Sequence, residues 1–302
     1  MKYKYPRNML GYGSNSLKVK WPNNAKIAVQ FVLNYEEGGE SSVLHGDKAS
    51  EIFLSEIIGA KAIKGRHINM ESLYEYGSRA GFWRIHRLFK KYKLPLTIFG
   101  VGMALERNLE ICKEMKNSNY EIASHGWRWI DYQKISKSIE KKHMTKAIKS
   151  IKKIFGKRPV GWYTGRCSPN TLGLVIDEGG FLYCSDTYSD DLPYWEIKGK
   201  KKLLMIPYTL DNNDMRFLTN QGFNSGDQFF NYLKDSFDAL YEEGNDKPKM
   251  MSIGLHCRII GRPGRIHSLK KFLDYITNLD NVWICKREEI ANHWIKYHNT
   301  KI

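Results

Sequence analysis

The sequence predicts an α/β fold with a parallel sheet, and three observations lead to this prediction. The chain has 302 residues, of which 42% are hydrophobic and 26% charged, as in globular proteins that bury a substantial core. Short apolar runs alternate along it with longer stretches of helical period, a pattern typical of βαβ units. About eight strands in a chain of this length favour an irregular closed barrel over an open doubly wound sheet.

Eight apolar segments are predicted to form the strands. Residues 26–34 (KIAVQFVLN) come first, and their continuous apolar character is typical of a buried strand. The other predicted strands are residues 96–101, 121–124, 160–164, 181–184, 203–206, 250–255 and 281–285. Helical periodicity predicts helices over residues 71–91, 104–116, 136–155, 227–243 and 266–277. The open-sheet alternative lacks its usual glycine fingerprint, because Gly11 and Gly13 precede the first strand rather than follow it.

The chain carries a formal net charge of +16, from 48 Lys and Arg against 32 Asp and Glu. Residues 134–158 contribute ten of these basic residues and a single acid, Glu140. Apolar residues recur within this segment at helical spacing, so one face should pack while the lysines point to water. No aromatic stacking platform is interleaved with the lysines. We therefore predict a solvated outer helix and no nucleic-acid partner.

Sorting signals and cysteine usage predict a cytoplasmic protein. Residues 1–13 contain no continuous apolar run that could form the core of a signal peptide. Nowhere does the chain have 18 consecutive apolar residues, so we expect no membrane span and no membrane partner. Its five cysteines, an odd number, are widely spaced without a C-x-x-C pair, which indicates free thiols in a reducing compartment.

Polar and ionisable residues follow five of the predicted strands. They are residues 34–40 (NYEEGGE), 124–126 (SHG), 165–169 (GRCSP), 185–186 (SD) and 256–258 (HCR). Taken singly, each has an ordinary explanation: Glu36 and Glu37 as exposed loop carboxylates, His125 as a structural histidine. Taken together they are hard to explain by packing, because burying such groups unpaired costs stability. Since the carboxyl ends of barrel strands converge on one mouth, we predict the functional site there.

This order of residues resembles that of the polysaccharide deacetylase superfamily, also called carbohydrate esterase family 4. The resemblance implies an irregular (β/α)7–8 barrel that hydrolyses acetamido groups with a divalent metal. The first motif of the family corresponds to residues 34–38 (NYEEG). The resemblance gives Glu36 the role of general base and Glu37 that of a metal ligand. The second motif, which supplies two metal-binding histidines, corresponds to residues 125–129 (HGWRW).

The second motif departs from the family pattern at Trp129, which stands where the second histidine is expected. An indole ring has no lone pair to donate to a metal. Glu37 and His125 alone are fewer than the three protein ligands that a catalytic zinc ordinarily has. Asp131 is a candidate third ligand. We expect no cofactor and keep a zinc ion held by Glu37 and His125 as the alternative.

Longer stretches resemble one branch of the superfamily more closely, the bacterial allantoinases, which act without a metal. They are residues 31–47, 70–83, 161–166, 186–195, 206–217, 221–229 and 254–265. Because this resemblance extends from about Tyr5 to His293, we expect one catalytic domain over residues 1–302. It implies hydrolysis of the hydantoin ring of allantoin, or of a related cyclic ureide, to allantoate in purine degradation. It also implies a homotetramer.

Opening a cyclic amide with water requires a general base, a donor for the oxyanion and an acid for the leaving nitrogen. Glu36 or Glu37 is the expected base, because two neighbouring carboxylates repel and one pKa rises. Arg166, with Arg258 as a candidate second donor, would hold the oxyanion or a ureido carbonyl. The expected acid is His256, and His125 would orient water or substrate. Residues expected to contact the substrate are Tyr35, Glu71, Trp129, Asp186 and Arg258.

Two other functions stay open at this point. The first is an N-deacetylase of aminosugars or peptidoglycan, and the second is a non-catalytic binder of polyanions or carbohydrates. A cysteine nucleophile is a further alternative, because Cys167 follows Arg166 and Cys257 follows His256. Alternation along a strand would point Cys257 away from His256, so we expect it to pack in the core.

Overall fold

A single twisted sheet, curled into a half-barrel, organises the chain in this computed structural model, which describes residues 5–15 and 17–300. Residues 1–4 of the amino-terminal segment discussed above lie outside this range. The strands are β1 Ile27–Tyr35, β2 Thr97–Gly100, β3 Glu121–Ser124, β4 Gly161–Trp162, β5 Tyr183–Cys184, β6 Tyr194–Lys198, β7 Lys201–Met205, β8 Lys249–His256 and β9 Val282–Ile284. Their order is β6-β7-β5-β4-β3-β2-β1-β8, and β9 pairs with β1.

Strand β1 pairs with β2, β8 and β9 and is buried along its whole length. It runs parallel to β8 from Ile27 opposite Lys249 to Asn34 opposite His256, and β2 pairs with its second half. An isolated parallel bridge between Asn213 and Gly254 joins the segment after β7 to β8, which curls the sheet further towards closure. The predicted irregular α/β barrel is confirmed.

Helices cover the outside of the sheet. They are α1 Ile68–Tyr76, α2 Phe82–Tyr92, α3 Gly102–Arg107, α4 Leu109–Asn117, α5 Lys137–Phe155, α6 Thr171–Glu178, α7 Gly226–Glu243, α8 Pro263–Thr277 and α9 Arg287–Tyr297. One π-helical turn, Gly77–Gly81, joins α1 to α2. In the described part of the chain, no helix is both long and apolar enough to cross a membrane. All five cysteines are free thiols.

Several predicted elements differ in their bounds. The helix predicted over residues 71–91 is interrupted by the π-helical turn, and the one over 104–116 divides at Asn108, whose side chain caps α4 by accepting the Ile111 N–H. Sequence periodicity missed α6, α9 and β6. Strand β6 was not predicted because it lies at the edge of the sheet, is largely solvent-accessible and pairs antiparallel with β7.

The lysine-rich helix is α5, and its two faces separate as predicted. Met144, Ala147, Ile151 and Phe155 are buried, whereas every lysine of α5 is exposed. The high positive charge therefore coats the outside of the barrel and lies on a different part of the molecule from the strand ends.

Candidate active site

The ends of β1, β3 and β8 bring the predicted site residues together. Beyond Tyr35 the chain turns sharply, and the Gly39 N–H donates to the Glu36 carbonyl at 2.8 Å. Because Asn34 lies opposite His256 in the parallel register, Glu36 emerges beside the end of β8. His125 follows β3 and its N–H donates to Gly100 on β2. The structure thus collects Glu36, Glu37, His125, His256 and Arg258 in one buried cluster.

Glu36 is the hub of this cluster. Its Oε2 accepts a hydrogen bond from Arg258 Nη1 at 2.7 Å. Its Oε1 lies 3.3 Å from His125 Nε2 and 3.6 Å from His256 Nε2. Burial acts to raise the pKa of Glu36, but Arg258 and the two histidines together hold it well below its ordinary value. Glu36 is therefore an ionised carboxylate that anchors three donors.

Glu37, the next residue, has a very different environment. Its Oε2 accepts the Glu36 N–H at 2.9 Å, and its Oε1 lies 3.7 Å from Arg258 Nη1. That Oε1 is buried without a hydrogen-bond partner among the described residues. Burial is the main cause that raises the pKa of Glu37 to about 7; Arg258 opposes the rise and the charge of Glu36 adds to it. One carboxyl of the adjacent pair therefore titrates near neutral pH, but burial contributes more to this than the mutual repulsion on which the prediction was based.

His256 is held by a buried carboxylate, Asp214, which was not among the predicted site residues. Asp214 Oδ1 lies 2.6 Å from His256 Nδ1, and its Oδ2 accepts the backbone N–H groups of His256 and Ile260. Burial acts to lower the pKa of His256, but Asp214 and Glu36 outweigh it and raise the pKa. The imidazolium form is thus favoured, with Nε2 directed at Glu36. Within the sequence, the signal for Asp214 was its place in the segment 206–217 that resembles the allantoinases.

Arg258 lies between the carboxylate pair and two aromatic rings. Its Nε donates to the Leu54 carbonyl at 3.2 Å, and its guanidinium carbon lies 4.4 Å from the ring centre of Tyr74 and 5.1 Å from that of Trp129. Its Nη2 is buried and has no partner in residues 5–15 and 17–300. The guanidinium is thereby fixed in orientation and keeps a free N–H donor.

Arg166 lies outside the buried cluster around Glu36, against Trp129 and Glu51. Its guanidinium lies 4.7 Å from the ring centre of Trp129, on which Phe53 also stacks, and 3.5 Å from the Glu51 carboxylate. The arginine that contacts Glu36 is Arg258. Trp129 is therefore a shared aromatic support for two guanidinium groups.

Three other residues expected to contact substrate form their hydrogen bonds with groups other than the carboxylate pair. Tyr35 is packed in the core with its hydroxyl 3.0 Å from Ser78 Oγ. Asp186 Oδ1 accepts the backbone N–H groups of Thr164 and Gly165, both at 2.8 Å. Glu71 binds Arg66 at the rim of a cleft of about 300 Å³ whose lining includes Glu37.

The π-helical turn lets the main chain approach Glu37. A Cβ atom at Gly77 would overlap the free Oε1 of Glu37. A Cβ at Gly81, the last residue of the turn, would overlap the Cys257 carbonyl oxygen. Wide helical turns of this kind occur frequently at functional sites. This one packs against the residues that follow β1 and β8.

The described side chains around Glu36 do not form the donor set of a divalent-metal site. Within the described ranges there is no group of three or more His, Cys, Asp or Glu side chains placed to hold one. Asp131, the candidate third ligand, is exposed and accepts the Gln133 N–H as a helix cap. The guanidinium of Arg258 already places a permanent positive charge against Glu36 and Glu37.

Neither cysteine beside the cluster has the properties of a nucleophile. Cys257 is fully buried in the apolar core, and burial raises its pKa well above the ordinary value. Burial also raises the pKa of Cys167 to about 11. A thiol with so high a pKa is almost entirely protonated at neutral pH. The expected packing role of Cys257 agrees with its position.

Comparisons with known proteins agree with this architecture. The sequence pattern of the family described as polysaccharide deacetylase matches residues 69–172. A polysaccharide-deacetylase-type protein of Schizosaccharomyces pombe is 44% identical over 93% of this chain and 94% of its own. A crystal structure of another such protein, from Pseudomonas aeruginosa PAO1, is 58% identical, with a TM-score of 0.97 over 98% of this chain and 100% of that one. The crystal structure of PuuE allantoinase is 56% identical, with a TM-score of 0.97 over 99% of this chain and 100% of that one.

Proposed function

This chain belongs to the polysaccharide deacetylase family, and we propose that its activity is the hydrolysis of the hydantoin ring of allantoin to allantoate. The proposal has support from the 56% identity to PuuE allantoinase, which extends over 99% of this chain. It has further support from Trp129 and Arg258, which replace a metal-binding donor set with a fixed guanidinium.

The observation that carries the proposal is the pair of carboxylates that share Arg258. Glu36 is ionised by its three donors, whereas Glu37 has a pKa of about 7 and a free oxygen. A general base works best when its pKa is close to the working pH, so Glu37 is the base of the pair. Glu36 then serves to hold Arg258, His125 and His256 in place.

The remaining groups supply the other needs of the reaction. Glu37 takes a proton from a water molecule while the water oxygen bonds to the ring carbonyl carbon. The Nη2–H of Arg258, which has no partner among the described residues, donates to the resulting oxyanion. When the carbon–nitrogen bond breaks, the protonated His256 gives its proton to the leaving nitrogen. Asp214 keeps that imidazolium charged and oriented. The product is a single ring-opened molecule that carries a carboxylic acid, which ionises in solution, and the freed ureido N–H. Glu37 then releases its proton to solvent and His256 takes one up.

The test compares two released products. The protein is incubated with allantoin and, separately, with N-acetylglucosamine oligomers, and allantoate and acetate are quantified. Allantoate alone supports the proposal, whereas acetate alone would support the N-deacetylase. Inertness towards both substrates, combined with salt-sensitive binding of a polyanion, would overturn the proposal in favour of a non-catalytic binder.

The cellular setting and assembly belong to the same proposal. We place the enzyme in cytoplasmic purine degradation as one catalytic domain over residues 1–302, assembled as a homotetramer and acting on a small molecule without nucleic-acid or membrane partners. Five free cysteines and the solvated lysines of α5 agree with this setting. Light scattering tests the assembly, with a mass four times that of the chain as the expected result.

A further inference from the structure

Among the described residues, two neighbouring side chains of the cluster each keep one polar atom without a partner, one an acceptor and the other a donor. The acceptor is Glu37 Oε1 and the donor is Arg258 Nη2, on side chains that are 1% and 2% exposed. Glu37 Oε1 lies 3.7 Å from Arg258 Nη1. Because a guanidinium is planar and rigid, Nη2 projects from the same group as Nη1, in a fixed relation to the carboxylate.

The geometry of amides decides what such a pair can recognise. In a trans amide, the form that open-chain secondary amides adopt almost exclusively, the N–H and the C=O point in opposite directions. A neighbouring donor and acceptor can then engage only one of the two groups. In a small ring the amide is forced to be cis, so its N–H and C=O lie on one edge and can meet both partners at once.

We propose that Glu37 and Arg258 together recognise the cis N–H and C=O edge of a small ring amide, with Glu37 accepting from the ring N–H and Arg258 donating to the ring carbonyl. This inference rests on the proposed function and names the feature of the substrate that its site selects. It extends the ligand class from allantoin to five- and six-membered secondary ring amides in general. It also excludes open-chain acetamido groups.

Recognition by Glu37 is compatible with its role as base. A carboxylate oxygen carries two lone pairs, so one oxygen can accept the ring N–H and the attacking water together. The edge contact would place the ring carbonyl against the same Arg258 donor that receives the oxyanion. Binding and chemistry thus use one orientation of the ring.

Three small probes of similar size test the inference on the wild-type protein. The first, 2-pyrrolidinone, offers a cis N–H and C=O; N-methylacetamide offers the same groups in trans; N-methyl-2-pyrrolidinone keeps the ring but lacks the N–H. Binding is measured by saturation-transfer NMR and by competition with allantoin turnover. The cis probe is expected to bind on the order of 100-fold more tightly than the trans probe, which would have to isomerise first. Equal binding of either control to that of 2-pyrrolidinone would overturn the inference.

The variant Arg258→Lys keeps the positive charge but loses the planar fork. It is expected to lose the preference for 2-pyrrolidinone over N-methylacetamide, and Arg158→Lys, at the surface ion pair with Glu178, is the matched control. Should Arg258→Lys fail to fold, the three probes on the wild type decide the question alone. If the protein discriminates between the probes but does not turn over allantoin, the proposed function is refuted and this inference stands. If it turns over allantoin but does not discriminate between the probes, this inference is refuted and the proposed function stands.

Discussion

Two buried arginines at different places in the barrel, Arg287 and Arg258, have opposite surroundings. Arg287 begins α9 and is fully buried. Its two terminal nitrogens donate to five neutral acceptors: Gln30 Oε1, Ser252 Oγ, Ser185 Oγ and the carbonyls of Ile206 and Pro207. These acceptors belong to β1, β8 and the segments that follow β5 and β7, so Arg287 ties the inside of the barrel together.

Arg258 is equally buried, but carboxylates and aromatic faces hold it. Burial acts to lower its pKa, while Tyr74, Glu36 and Glu37 raise it above the ordinary value; for Arg287 burial prevails and the pKa is lowered. Both terminal nitrogens of Arg287 have partners, whereas Nη2 of Arg258 has none among the described residues. A buried guanidinium whose two terminal nitrogens are held by neutral acceptors, with only Nε left without a partner among the described residues, is structural. One paired with acids and left with a free donor is prepared for a ligand.

The difference between the two arginines is tested most directly at Glu37, one of the two carboxylates beside Arg258. Glu37→Gln is expected to lower kcat about 10²–10⁴-fold, because an amide cannot accept the proton of water. Thermal unfolding should be unchanged, since the substitution removes a buried charge and preserves shape. The matched control is Glu121→Gln, a buried glutamate at the amino end of β3, which should keep its activity. Turnover of Glu37→Gln at the wild-type rate would disprove the assignment of the base.

Arg287 should show the opposite behaviour. Arg287→Met leaves its five acceptors without a donor and is expected to lower the free energy of unfolding by about 3–5 kcal/mol. Denaturant titration measures this loss, and activity per folded molecule should stay within about threefold of wild type. Arg158→Met, at the surface, should cost at most about 1 kcal/mol. A stable but inactive Arg287→Met would mean that the two arginines do not differ in the way described.

The pH profile sharpens the difference between the two glutamates. Because Glu37 must be ionised to act as base, kcat/KM is expected to fall below about pH 7, where its carboxyl becomes protonated. Glu36→Gln should remove most activity while leaving the fold intact. It should also move the acid limb of the residual activity to lower pH, since the charge of Glu36 helps to raise the pKa of Glu37. An acid limb that stays in place in Glu36→Gln would assign it to another group.

Gly77 gives the smallest expected effect. Gly77→Ala places a Cβ where the free oxygen of Glu37 lies, so the carboxylate must turn away from Arg258. We expect kcat to fall roughly tenfold, since misplacement of a catalytic group by about 1 Å is costly. Gly173→Ala in α6, where the nearest atom is 3.4 Å from the added Cβ, is the control and should leave kcat unchanged. Equal rates for both variants would show that Glu37 tolerates displacement.

Much of the site could be predicted from the sequence because parallel strands align their carboxyl ends. That rule placed Glu36, His125 and His256 together, and the register of β1 with β8 explains why it succeeded. The alternation of apolar strands and amphipathic helices was equally sufficient for the fold class. Strand β3 has the predicted bounds, residues 121–124.

The rest depends on contacts that no local pattern encodes. Asp214 contacts His256 from 42 residues away in the sequence, and no local pattern links the two residues. That Arg258 rather than Arg166 contacts Glu36 depends on the path of the chain after β8. It also depends on Trp129 and Tyr74, whose rings pack against the Arg258 guanidinium. The π-helical turn brings Gly77 close to Glu37 and Gly81 close to Cys257, and helical periodicity does not reveal such tertiary contacts.

The central claim is that the carboxylate pair with Arg258 opens the hydantoin ring without a resident metal. Turnover of allantoin by chelator-treated, dialysed protein tests it most directly, with allantoate quantified beside untreated enzyme and Glu37→Gln. We expect equal rates for treated and untreated wild type, and a rate about 10²–10⁴-fold lower for the variant. Loss of turnover on chelation that added zinc restores would contradict it.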